Sequence, residues 1–123
     1  MATVTATKDN FEELLNSGGI LLVDFWAPWC QPCKQFAPIY EDASEKHPEV
    51  TFAKVNTEEE QELAATFQVR AIPTLMMFRD QIALFSQPGV LPGGAIDELI
   101  EKAEALDMDD VRRQVDEQQN SDQ

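Results

Sequence analysis

Residues 20–26 are apolar on both alternating faces except at Asp24, the pattern of a central strand covered on both sides. The polar interruption is the anomaly of that strand. Residues 4 and 5 suit a short first strand. Phe11, Leu14 and Leu15 then follow the i, i+3, i+4 spacing of a helix that Thr7 or Asp9 can cap and that Gly18 and Gly19 stop. After Ala27, Pro28 and Trp29 the spacing predicts a helix over 30–46, with Phe36, Ile39, Tyr40 and Ala43 as its buried stripe and Pro38 kinking it by removing one ladder hydrogen bond. Residues 50–55 alternate as a strand, and 58–67 read as a helix turning Leu63, Ala64 and Phe67 inward. Residues 74–78 form a further strand with a hairpin partner at 82–85. Their connection, Arg79-Asp80-Gln81, lacks the glycine that a two-residue hairpin turn favours at positive φ. Gly93 and Gly94 precede a last helix over 95–106, carried by Ile96, Leu99, Ile100 and Ala103. The order βαβαβαββα predicts an α/β fold, a mixed sheet flanked by helices.

The chain has 123 residues, enough for one core and little more, so residues 1–106 are expected to form one domain. Residues 107–123 hold six acids, two arginines and no aromatic residue. That stretch suits a frayed or extended helix giving way to disorder. It serves either as a solubilising segment or to recruit a basic partner.

Nine Lys and Arg against 23 Asp and Glu leave a formal charge of −14, which repels phosphate backbones and anionic membrane surfaces. Nucleic acid is not an expected partner. The two longest apolar runs, 19–23 and 25–30, fall short of a membrane span even when joined. Residues 1–10 carry one lysine and no apolar stretch, so they do not form a secretory signal as written, and a cytoplasmic location is expected.

The two cysteines, Cys30 and Cys33, are too few and too close to staple a secreted domain. Their place at the end of a buried strand and the start of a helix points to chemistry. One helical turn brings both sulfurs together, and the free amides of the helix N-terminus stabilise a thiolate on the first. Cys30 is the natural nucleophile and Cys33 the residue that resolves a mixed disulfide. Pro32 fits the first helical turn, where its missing N–H costs nothing. Structural zinc needs four ligands and His47 is the only further nitrogen or sulfur candidate. An iron–sulfur cluster shared between two chains stays open as an alternative.

Two readings of Asp24 stand: a carboxyl whose desolvation lets it exchange protons with Cys33 through water, or a structural group held by backbone donors or by Lys54 in the next strand. Ile72-Pro73-Thr74 sets a proline just before a strand, where a cis bond would expose the preceding backbone to an extended substrate and a trans bond would make an ordinary turn. Trp26 suits the core, and Trp29 suits a surface beside the nucleophile. His47, next to Pro48 at a helix end, is explained by the helix dipole and solvent and is given no function.

The run Asp24-Phe25-Trp26-Ala27-Pro28-Trp29-Cys30 through Lys34, with Pro38, Lys54-Val55-Asn56 and Ile72-Pro73-Thr74, resembles the thioredoxin family over residues 4–105. The resemblance implies a thioredoxin fold with a cis-proline facing the cysteines. It also implies reduction of protein disulfides in which Cys30 attacks, Cys33 resolves, Asp24 handles the proton and Lys54 tunes Asp24. Trp29, Gln31, Pro32, Ala71, Ile72, Pro73 and Gly89 match the positions around the substrate groove, with the Ile72 backbone pairing to the bound peptide. No bound cofactor is implied. Electrons would come from NADPH through a thioredoxin reductase, and the protein would act as a monomer in electron transport and cell redox homeostasis.

Three features depart from the family pattern: Gln31 where most members have glycine, the Asp80-Gln81 turn, and the acidic extension. Gln31 leaves the redox poise open, since the dipeptide between the cysteines influences it. A reducing compartment favours the reductant. The alternative function is a redox-inactive thioredoxin-fold module, binding or chaperone-like, that uses the groove around Trp29 and Pro73.

Overall fold

The computed structural model describes residues 2–121. It comprises β1 (Thr3–Thr5), α1 (Phe11–Asn16), β2 (Ile20–Trp26), α2 (Gln31–Lys46), β3 (Thr51–Asn56), α3 (Gln61–Thr66), β4 (Thr74–Arg79), β5 (Ile82–Pro88), α4 (Gly93–Glu104) and α5 (Met108–Ser121). The five strands form one sheet in the order β1-β3-β2-β4-β5. β3 runs parallel to β1 and β2, and β4 runs antiparallel to β2 and β5. β2 is therefore central, as its two apolar faces require.

Strand alternation sends side chains to two cores. Leu22, Phe52, Leu75 and Met77 meet Phe36 and Tyr40 of α2 and Ile96 and Ile100 of α4. Val23, Phe25, Val55, Met76 and Phe78 meet Phe11 of α1 on the other face. There Phe67 lies 5.2 Å from Phe11 and 5.5 Å from Phe78, centroid to centroid. Asp24 and Trp26 share the α2 face with Leu22 by the same alternation.

Several boundaries move for identifiable reasons. Neither Thr7 nor Asp9 caps α1: Asn10 takes the N-cap position, and its Oδ1 accepts the Thr7 amide at 2.7 Å. Thr7 Oγ1 instead accepts the amide of Asp9. Gly18 and Gly19, at φ of +83° and +75°, turn the chain into β2. α3 is shorter than the expected 58–67 because Asn56 Oδ1 accepts the Glu58 amide at 3.0 Å and Thr57 bonds the Trp26 carbonyl, which holds 57–59 as a turn. β5 extends to Pro88, past a register shift opposite Met77 and Phe78.

The β4–β5 turn is made without glycine. Asp80 and Gln81 take φ of +54° and +68°, the left-handed pair that a tight hairpin requires. Both side chains are tied down: Asp80 accepts from Arg112 at 3.0 Å, and Gln81 Nε2 donates to Asn16 Oδ1 of α1. Arg112 belongs to α5. The frayed or extended helix expected after residue 106 is a helix from Met108 to Ser121. Met108 is buried, Arg112 also pairs with Asp109, and Arg113 pairs with Asp110 at 3.2 Å. Met1, Asp122 and Gln123 lie outside the described residues.

Candidate active site

The end of β2 and the start of α2 meet at the cysteines. Cys30 is the N-cap of α2, so its backbone is still extended while its carbonyl accepts the Lys34 amide at 3.2 Å. Its Sγ accepts the Cys33 amide at 3.2 Å. A sulfur in the capping position receives one of the orphan donors of the helix end, together with the positive end of the helix dipole. The two sulfurs are bonded to each other, with their Cα atoms 5.2 Å apart. Once that bond opens, negative charge is cheapest on Cys30.

Asp24 is 1% exposed, and among the described residues its Oδ1 has no hydrogen-bond partner. Burial pushes its pKa up from 3.8 to about 7, against the opposing pull of Lys54. Lys54 sits across from Asp24 in the β2–β3 register, with its Nζ 4.9 Å from the centre of the Trp26 ring. Tyr40, fully buried on α2, donates its hydroxyl to the Ala53 carbonyl at 2.8 Å. Its pKa is driven well above 10, first by burial and then by the charge of Asp24. A pocket of about 90 Å³, walled by Trp26, Pro28, Cys33, Ala37 and Lys54 among others, reaches the buried cysteine from the surface. That volume has room for water beside Cys33.

A second face forms around Cys30. The Ile72–Pro73 bond is cis, and the Ile72 carbonyl oxygen lies 3.7 Å from Cys30 Sγ. The Gly89 amide donates to the Pro73 carbonyl at 2.8 Å, which fastens the loop after β5 to the proline. Gly89 holds a φ of +101°, a conformation that suits glycine alone. Gln31, Pro32 and Ala71 are exposed at this face, Ile72 is half-buried and Pro73 is buried. Trp29 is 65% exposed, and its Nε1 donates to Glu58 Oε1.

Glu58 is a residue of this site that the sequence did not single out, and Trp26 is one that it assigned to the core. Glu58 reads from sequence as one more acid on a helix. Its position opposite Trp29 follows from the turn that Asn56 imposes. Trp26 reads as core, and only the strand register brings Lys54 onto its ring. His47, assigned no role, caps α2 and joins it to α4 through Asp97 at 2.7 Å, far from the cysteines in the fold. Among the described residues, no three His, Cys, Asp or Glu side chains gather as metal ligands.

Two sulfurs within one helical turn, the first of them favoured as thiolate, exchange disulfides with an incoming partner. The site is that of a thiol–disulfide exchange protein. The thioredoxin family model matches residues 2–102. A Streptomyces coelicolor protein named "Putative thioredoxin 2" is 51% identical over 118 residues, covering 96% of this chain and 88% of its own. The thioredoxin of Bacillus subtilis is 39% identical over 83% of this chain and 98% of its own. Among solved structures, chloroplastic thioredoxin z superposes with a TM-score of 0.79 at 26% identity, over 86% of this chain and 97% of that one. The chain belongs to the thioredoxin family and is a thiol–disulfide oxidoreductase acting on protein disulfides.

Proposed function

We propose that the reduced protein attacks a client disulfide through the Cys30 thiolate. A Cys30–client mixed disulfide forms, and the first client sulfur leaves as a thiolate that takes a proton from solvent. Cys33 then gives its proton to the Asp24 carboxylate through water in the pocket and attacks Cys30 Sγ. The second client sulfur leaves as a thiolate and takes up the proton that Asp24 returns through the same water, and the Cys30–Cys33 disulfide is restored to the state seen in the structure. The carrying observation is the Cys33 amide donated to Cys30 Sγ, because it separates the two sulfurs by role. Residual exposure does not separate them, at 4% for each.

Trp29, Gln31, Pro32, Ala71, Ile72, Pro73 and Gly89 form the client-binding face in this reading, and an extended client segment pairs with the Ile72 backbone. The exposed Trp29 ring and the Ile72 carbonyl near the sulfur support it. The oxidised protein is returned to the dithiol by two electrons from NADPH through a thioredoxin reductase. We place this cycle in the cytoplasm, with the protein acting as a monomer. The scarcity of cysteine and the acidic surface support that placement, and no helix among the described residues is long and apolar enough to cross a membrane.

The test is reduction of a model protein disulfide driven by dithiothreitol, and then by a thioredoxin reductase with NADPH. Cys30→Ser should abolish turnover, and Cys33→Ser should accumulate mixed disulfides with clients. A Cys30→Ser, Cys33→Ser double variant that retains the protein's cellular function would favour the binding-module reading instead.

A further inference from the structure

Lys54 has two partners within reach on one face of the sheet. Asp24 lies directly across from it in parallel register, and Trp26, two residues further along β2, lies on the diagonal. Its ammonium goes to the ring: Nζ stands 4.9 Å from the Trp26 centroid. Among the described residues Lys54 makes no ion pair with Asp24 or any other acid, and Asp24 Oδ1 is left without a hydrogen-bond donor. Solvation explains the choice. Asp24 is buried, whereas Lys54 is half-buried and lines the pocket beside Cys33. Closing an ion pair would strip a strongly hydrated ammonium of water. Against the ring, one side of the ammonium meets the negative face of the indole and the other stays toward the open pocket.

We propose that Trp26 is a positioning residue for the redox reaction, holding the Lys54 ammonium over its indole and so withholding that cation from Asp24. A carboxylate locked to a lysine is a poor base, whereas an unpaired buried carboxyl takes up and returns a proton near neutrality. The inference rests on the reading of Asp24 as the proton acceptor of Cys33. The other groups around Asp24 do not substitute for Lys54. α2 brings Tyr40, whose proton is held far above neutrality, and Cys33, which does not titrate while bonded to Cys30. β4 places Leu75 next to Asp24, and α4 brings the apolar Ile96 and Ile100 to that face.

The experiment is a carbon-13 carboxyl NMR titration of Asp24 in the oxidised full chain. It compares wild type, Trp26→Leu and Trp26→Phe, each with and without Lys54→Met. With Lys54 present, Trp26→Leu frees the ammonium to pair, and the Asp24 midpoint should fall by about one pH unit or more. Trp26→Phe keeps a weaker ring face and should fall by a smaller step. With Lys54→Met, neither tryptophan variant should move the midpoint by more than about 0.3 unit, since the cation that carries the effect is gone. Equal falls with and without Lys54 would mean that the variants merely admit water to Asp24 and would overturn the proposal, as would unmoved midpoints in both tryptophan variants. A wild-type midpoint near that of an ordinary carboxyl would overturn the Asp24 reading along with it. A wild-type midpoint near neutrality with unmoved variants would overturn the Trp26 role alone.

Discussion

Replacing Asp24 with asparagine should make the oxidised protein more stable in alkali, by an amount set by the burial of that carboxyl. In the folded state Asp24 titrates at about 7, and in the unfolded chain it returns to 3.8. Between those values the folded state holds a proton that the unfolded state has lost, so raising the pH favours unfolding. The penalty is absent below the lower value, grows between the two and is complete above the higher one. At about 1.4 kcal/mol per pH unit, the gap of about three units amounts to roughly 4 kcal/mol. Against a total of about 5–15 kcal/mol for a domain of this size, that is large enough to measure without ambiguity. Asparagine keeps the shape and cannot ionise. Urea unfolding followed by circular dichroism, on both proteins from about pH 4 to about pH 9, gives the difference in stability at each pH. Groups common to the two chains cancel. The variant should gain roughly 4 kcal/mol on wild type across that range, with most of the change below neutrality. A difference that stays flat within about 1 kcal/mol would refute the argument that burial holds the proton on Asp24.

Three further outcomes follow from contacts elsewhere. His47 has its pKa raised, chiefly by its hydrogen bond to Asp97. Its contribution is therefore fully present below the ordinary histidine value and lost as pH rises through the folded value. His47→Gln should lower the thermal midpoint at about pH 5.5 more than at about pH 9, and equal losses would count against the charge. Gln81→Gly should stabilise the protein by up to about 1 kcal/mol in urea unfolding by relieving the left-handed backbone, in excess of the lost Asn16 contact. A net loss would show that the contact outweighs the backbone. Tyr40→Phe should cost about 1–2 kcal/mol, because it removes the buried donor to the Ala53 carbonyl. Unchanged stability would mean that the carbonyl is satisfied by its strand partners alone.

β2 was legible in the sequence to its ends, because a strand covered on both faces leaves an unbroken apolar run, and Asp24 stood out against it. The cysteine pair was legible through spacing, and the Ile72–Pro73 corner through its place before β4. Elements whose limits depend on side-chain competition were less so. The start of α3 is set by Asn56 reaching the Glu58 amide, and a periodicity count does not register such a bond. α5 was also poorly legible: apart from Met108, its ordering draws on Arg112 finding Asp80 on a turn some thirty positions earlier. Contacts between strands were the least legible. The partners of Lys54 and Trp29 are decided by strand register and loop path, which no local pattern carries.

The central place of β2 has a consequence for the newborn chain. Both neighbours of β2 lie later in the sequence, and the second, β4, is complete only at Arg79. The ribosome therefore releases Cys30 and Cys33 before the sheet that shapes them can close. At about 5–20 residues per second, the gap lasts on the order of several seconds. During that interval α2 has no sheet to pack on, its amide is not yet held against Cys30, and the thiols react as ordinary cysteines. The selectivity of the nucleophile is thus acquired with tertiary closure, and a nascent chain is most open to adventitious oxidation before it has any catalytic power of its own.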